Sequence, residues 1–319
     1  MQYLTAYPEA VLAIDAGQGH EHCATVYMIV NNGRVALIDA GTDASVRPVL
    51  ESLSTAGLSP RVVDYVILTH LHLDHAAGAG HLMAALPNTR LLVHPAGVRH
   101  VVAPERLWQA NVDVYGEAQV RQRYGEVLPV APDRVEEATD GMTLTLAGRA
   151  LRIVHTPGHS TQHLAVWDAR SRTFFAGDAF GVSPPGLAVD EHSFVFPSTM
   201  PSGFDPVAMH TSIDRMLQAR PEAMYLGHGA RVTDVIRLAA DLHRLIDAQI
   251  AVARAARGHD VGRHVEILAG LEQLVREETA RQGWALDEEA ALALLREDLV
   301  MNAQGLGSWL DLQAEAQLA

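Results

Sequence analysis

The sequence predicts an α/β fold over residues 1–232, followed by an all-helical extension over residues 233–319. Three observations carry this. Short apolar runs rich in β-branched residues recur through the first part at strand length. Helical stripes lie between several of them, and that alternation produces parallel strands. After Thr233 the strand signals stop and leucine stripes of helical period take over. A chain of 319 residues is long enough to bury a sizeable core.

Taken in order, Ala10 to Ile14, Cys23 to Val30 and Val35 to Ile38 read as strands, with Asn31-Asn32-Gly33 as the turn joining the last two. Asp39-Ala40-Gly41 closes the third. Asp43 or Ser45 is expected to cap a helix with Val46, Val49, Leu50 and Leu53 on one stripe, ended by Gly57. The run Val62 to Leu68 reads as a buried strand.

Thr69-His70-Leu71-His72-Leu73-Asp74-His75 then places three imidazoles and a carboxylate within six residues. On an extended strand end, residues two apart point the same way, so His70 and His72 face one ion. Asp74 and His75 start a turn or helix and swing to that ion's other side, where a second ion has room. Imidazole nitrogen and carboxylate oxygen suit zinc, and also iron or manganese. The alternative is a solvated, histidine-rich loop.

Leu82, Met83 and Leu86 suggest a helix stopped before Pro87, and Leu91-Leu92-Val93 another strand, so the sheet is partly parallel here. Residues 99–130 break the rhythm: Trp108, Tyr115 and Tyr124 lie among Arg106, Arg121 and Arg123. This is either an inserted flap lending aromatic surface to a site or a covering helix with core aromatics. A hairpin from Met142 to Val154 delivers Thr156-Pro157-Gly158-His159-Ser160. Thr173 to Ala176 delivers Gly177-Asp178, and Met224 to Leu226 delivers Gly227-His228-Gly229. Between them, the irregular segment after Asp178 reads as a pocket wall, with Phe194 and Phe196 giving apolar surface and His192 a polar contact. Asp205-Pro206 is a helix start, with Val207, Ile213, Met216 and Leu217 as its stripe.

In the extension, Leu238, Leu242 and Leu245 form one stripe, Val265, Leu268, Leu271 and Val275 a second, and Leu292, Leu295 and Leu299 a third. Asp287-Glu288-Glu289 opens the last helix. The extension is expected to act as a substrate-binding cap, as a surface for homo-oligomer formation, or as both.

The motif His-Leu-His-Leu-Asp-His, followed in order by His159, Asp178 and His228 at strand ends, resembles the signature of the metallo-β-lactamase-fold superfamily of hydrolases. The resemblance spans residues 35–230 and implies an αββα sandwich. It further implies that His70, His72 and His159 hold one divalent ion, that Asp74, His75 and His228 hold another, and that Asp178 bridges them. Zinc is the first expectation, with iron or manganese as alternatives. Asp39 is implied to hydrogen-bond behind the histidine-rich loop, and His163, in Gly-His-Ser-x-x-His, to support a ligand or touch substrate. As a bare histidine four residues on, His163 reads as a satisfied polar residue.

Composition narrows the function. A balance of 24 basic against 38 acidic residues, net −14, argues against nucleic acid as a partner. All the basic residues are arginine, so no lysine is present to anchor a substrate carboxylate or form a Schiff base, and the lysine-assisted glutathione site of glyoxalase II is lacking. Cys23 is the single cysteine, which excludes an intrachain disulfide and reads as a small core residue. No segment approaches eighteen consecutive apolar residues, so no membrane partner is expected. The first basic residue is Arg34, which leads us to expect a cytoplasmic protein.

The resemblance to glyoxalase II, which also has a helical extension, implies a dinuclear hydrolase of a small molecule's thioester, ester or lactone bond. A bridging hydroxide would attack, and Asp74 would orient it or pass a proton to the leaving group. Two alternatives stand beside it. His70, His159 and Asp178 match the two-histidine, one-carboxylate iron set of the superfamily's persulfide dioxygenases. A regulatory metal-binding protein with little turnover, using the extension to meet a partner, is the other.

Overall fold

The computed structural model describes residues 4–15, 24–184, 193–201, 203–229, 231–284 and 286–318. Cys23 and His192 lie outside them. The chain forms two compact units, residues 1–155 with 162–177, and residues 156–161 with 178–319.

The first unit opens with β1 (Leu4–Tyr7), β2 (Val11–Asp15), β3 (Thr25–Asn31) and β4 (Arg34–Ile38), which pair antiparallel in order. Asn32 and Gly33 turn β3 into β4 with φ of 45° and 74°, the left-handed pair that a two-residue hairpin requires. A short 3-10 turn at Asp43–Ser45 precedes α1 (Val46–Thr55). Neither expected cap serves α1. Ser45 Oγ accepts from Thr42 N at 2.9 Å, and Asp43 accepts from Glu126 N at 3.2 Å. Then come β5 (Val63–Ile67), α2 (Leu73–Ala76), α3 (Ala79–Ala85) and β6 (Arg90–Val93). Three helices follow, α4 (Val98–Val102), α5 (Glu105–Tyr115) and α6 (Glu117–Tyr124), and then β7 (Val135–Glu137). From β4 to β7 every pairing is parallel, completing a seven-stranded sheet in chain order.

A second, antiparallel sheet is built from β8 (Thr143–Leu146), β9 (Arg149–His155), β10 (Leu164–Asp168) and β11 (Thr173–Gly177). Period-two alternation buries both faces of the first sheet. Val26, Met28, Val35, Leu37 and Val66 join Val49 and Leu53 of α1 and Leu82 and Met83 of α3 in one core. Each fully buried side chain of that size contributes about 1.5–3 kcal/mol. The opposite face meets the second sheet, where the Tyr27 and Phe175 rings stand edge on at 5.5 Å. Buried Asn31 bridges the sheets by donating to the carbonyls of Leu146 (3.0 Å) and Ala147 (3.1 Å). Arg149 and Asp168, almost fully buried, form an ion pair across β9 and β10 at 2.5 Å.

In the second unit, Asp205 caps α7 (Pro206–Leu217) by accepting from Val207 N and Ala208 N. Its buried stripe is Pro206, Met209, Ile213 and Met216, whereas Val207, expected inside, is 74% exposed. Residues 206, 209, 213 and 216 share one helical face, which excludes 207. An antiparallel pair, β12 (Ala223–Leu226) and β13 (Arg231–Val232), precedes α8 (Val235–Ala255), α9 (Asp260–Gln282) and α10 (Glu288–Leu318). Leu238, Leu242 and Leu245 are buried as expected. On α9, Leu271 and Val275 of the predicted stripe are buried, joined by Ile267 and Leu274, whereas Val265 is exposed. Asp287 Oδ1 accepts from Ala290 N at 2.8 Å, capping α10.

Candidate metal centre

The first unit carries four of the ligand-type side chains. Beyond the end of β5 the chain leaves the sheet at Thr69, and His72, extended at φ −63° and ψ 144°, is the N-cap of α2. His70 Nε2 and His72 Nδ1 converge to 2.9 Å. His75 follows in α2, with Nε2 3.5 Å from Asp74 Oδ2. Backbone bonds tie this loop to the end of β4: Ala40 N donates to His75 O at 2.8 Å and Gly78 N to Gly41 O at 2.9 Å. A Cβ on Gly78 would lie 2.4 Å from the carbonyl oxygens of Ala40 and Thr42, so only glycine fits.

Asp39 sits behind the loop in the left-handed region (φ 63°), buried to 2% exposure. Its Oδ1 accepts from Thr69 N at 2.7 Å, and its Oδ2 accepts from His75 Nδ1 at 2.8 Å and from the Thr69 hydroxyl at 2.9 Å. His163, fully buried, stacks on His70 with ring centroids 4.9 Å apart.

The second unit carries the other three. His159 Nδ1 donates to Ser198 O at 3.0 Å, while its Nε2 lies 3.5 Å from Asp178 Oδ2. The same carboxylate oxygen is 3.7 Å from His228 Nε2. Gly158, at φ 135°, lets the His159 turn lie against α7, where a Cβ would meet Met209 Cα and N at 2.4 Å. Asp205 N donates to Gly158 O and Ser212 Oγ to Pro157 O, fixing the same turn. Ser183 N donates to His228 O at 2.9 Å.

These contacts test whether the residues suit a metal ion. In His75 and His159 the Nδ1 atom faces an oxygen acceptor, which leaves Nε2, lying 3.5 Å from a carboxylate oxygen, as the atom that would ligate an ion. Hydrogen bonds that fix the far nitrogen are how proteins orient metal-bound imidazoles, and N and O donors in this mixture suit zinc, iron or manganese. The residues fit divalent ions.

The aromatic segment packs beneath the histidine-rich loop. Leu73, between His72 and Asp74, clusters with Ala77 and Val120, and Trp108, Tyr115 and Tyr124 pack against them. Burial and the nearby Asp74 carboxylate push the Tyr115 and Tyr124 hydroxyls above their usual range. Arg121 lies over the Trp108 ring, 5.3 Å from its centroid.

Of the residues expected to line a pocket, Phe194 and Phe196 are buried within the second unit, at 2% and 0% exposure. Phe194 packs edge on against Trp284 at 4.4 Å. The supporting roles of Thr69 and Ser198 went unforeseen, because both act through atoms that every residue or many residues own.

The sequence profile of the metallo-β-lactamase superfamily matches residues 24–228, well over half of the chain. The chain belongs to the metallo-β-lactamase superfamily. It is 25% identical over 225 residues to the metallo-β-lactamase fold-containing protein ST1585 of Sulfurisphaera tokodaii, covering 67% of this chain and 75% of that one. The solved structure of ST1585 superposes with a TM-score of 0.64 at 22% identity, over 94% of this chain and 99% of that one, and shows the fold. Among metallo-β-lactamase relatives with named activities, the acyl-coenzyme A thioesterase MBLAC2 of Gallus gallus is 27% identical over 168 residues, 49% of this chain and 57% of that one. A hydroxyacylglutathione hydrolase of Stenotrophomonas maltophilia is 30% identical over 155 residues, 48% of this chain and 45% of that one. The chain therefore spans less than two thirds of either named hydrolase. Among the described residues no helix is long and apolar enough to cross a membrane.

Proposed function

We propose that this chain is a dinuclear metal-dependent hydrolase acting on a thioester bond of a small molecule. Superfamily membership and the hydrolase relatives support metal-dependent hydrolysis. The observation that carries the finer reading is the donor arrangement in each unit, with imidazole nitrogens and carboxylate oxygens converging to between 2.9 and 3.7 Å of one another.

In this reading, which follows the family resemblance, His70, His72 and His159 would hold one ion, Asp74, His75 and His228 the other, and Asp178 would serve both. Two such ions supply a water acidified toward neutral pH and Lewis acids for the attacked carbonyl. Asp74 would orient a water held there and return a proton to the leaving group. Asp39 and Ser198 hold the His75 and His159 rings so that Nε2 is the ligating atom. The thioester is favoured over an ester or lactone by the relative named as an acyl-coenzyme A thioesterase. The net charge of −14 supports a small-molecule substrate rather than nucleic acid. The α8 to α10 helices are assigned to capping the substrate or to self-association.

The test is elemental mass spectrometry on protein purified without chelator, followed by a thioester panel. Two ions per chain, with metal and thioester hydrolysis lost together in Asp178→Ala, is the expected result. Full activity in metal-depleted Asp178→Ala protein overturns the reading. One iron per chain, with oxygen uptake on a persulfide, replaces it with the dioxygenase.

A further inference from the structure

A second histidine cluster lies in the second unit, on residues that take no part in the centre described above. The sequence His-Thr-Ser-Ile-Asp at 210–214 falls on α7 and His-Arg-Leu-Ile-Asp at 243–247 on α8, so each helix carries a histidine with an aspartate one turn later. The aspartates cross over. His210 Nε2 is 3.2 Å from Asp247 Oδ1, and His243 Nε2 is 3.2 Å from Asp214 Oδ1. The two rings are within 11° of parallel and meet edge to edge, with centroids 4.9 Å and Nδ1 atoms 2.6 Å apart.

A carboxylate only accepts, so each aspartate holds the ring proton of its partner histidine on Nε2. When both rings are neutral, both Nδ1 atoms carry lone pairs that face each other at 2.6 Å, a contact that either a shared proton or, with the rings slightly opened, a metal ion relieves. We propose that His210 and His243 bind a divalent transition-metal ion of the zinc class through their Nδ1 atoms, with Asp214 and Asp247 setting the tautomers. Carboxylates on the far nitrogen are the usual support for metal-bound imidazole, and a pair of imidazole donors favours zinc, copper or nickel over magnesium or calcium.

Zinc–nitrogen bonds of about 2.0–2.1 Å in a tetrahedron separate the two nitrogens by about 3.4 Å, so the rings open by under about 1 Å on binding. Both histidines are 27% exposed at the side chain, which gives that movement room and the ion a route from solvent. Water completes the shell. The proposal does not rest on the hydrolase reading, because the helices place these side chains whatever the other centre does.

The test uses the full chain, stripped with a chelator, reloaded with zinc at pH 7.5, gel-filtered and analysed for zinc per chain. His243→Gln and His210→Gln are each expected to carry one zinc fewer than the parent, whatever number the parent binds. Asp214→Asn is expected to weaken the same ion by about 10–100-fold in competition with a chromophoric chelator. Equal zinc counts in the parent and both histidine variants overturn the proposal and leave a shared proton between the rings. Should one variant fail to fold by circular dichroism, the other histidine variant and Asp214→Asn decide.

Discussion

His75 Nδ1 and Asp39 Oδ2 lie 2.8 Å apart with 0% and 2% of their side chains exposed. The carboxylate fixes the ring's tautomer and aims its other nitrogen, so Asp39 is expected to act on metal affinity without touching metal. Asp39→Asn is expected to lower the affinity of the His75 site about 10–100-fold. Chelator competition measures it, and an unchanged affinity would show that the ring is held by other means.

Gly158→Ala is expected to cost about 3 kcal/mol or more. It places a side chain at φ 135° and pushes a Cβ to 2.4 Å from the α7 backbone at Met209. Because His159 follows directly, metal content should fall along with stability. Urea denaturation and elemental analysis of the same preparation test both halves.

Asp168 carries the pH dependence that can be signed. Its burial works to raise the carboxyl, but hydrogen bonds from Arg149 and Ser171 outweigh that and hold it below the usual range. The folded value lies below the unfolded one, so the pair stabilises fully above the unfolded value of about 3.9. That contribution is lost as pH falls through the folded value. Asp168→Asn, which strands a buried Arg149, should cost about 3–5 kcal/mol at pH 7. The gap between parent and variant should narrow as pH drops through and below 3.9. A constant gap from pH 7 to 2.5 would remove the ion pair from the explanation.

An ion bound only by the folded chain stabilises it by mass action, by about 2.7 kcal/mol at a hundredfold excess over Kd. Chelation should therefore lower the melting temperature and zinc should restore it. In His72→Ala most of that response should vanish. A melting curve that zinc moves equally in parent and His72→Ala would place the stabilising ion elsewhere.

Much of the fold was legible because its signals are local. Asn32-Gly33 favours a tight hairpin, Asp205-Pro206 is a strong helix start, and the runs at 63–67 and 173–177 have the length and the β-branched or aromatic content of strands. The ligand-type residues were legible through their order and spacing. What escaped depends on partners far along the chain. Val207 reads as apolar, yet the face of α7 is chosen by the Gly158 turn that Met209 must receive. On α9 two apolar stripes overlap, and packing, not pattern, decides that Ile267 is inside and Val265 outside. Ser198 supports His159 through a backbone carbonyl, which no side-chain pattern reveals.

The ties between the end of β4 and the histidine-rich loop run from backbone to backbone, through Ala40, Gly41, His75 and Gly78. Such ties do not depend on which side chains flank them, provided residue 78 stays glycine. A lineage could therefore exchange the aromatic helices at 98–124 or rebuild the segment after Asp178 and still inherit the same geometry at the histidines. The loop is a chassis on which specificity can diverge while the chemistry is kept.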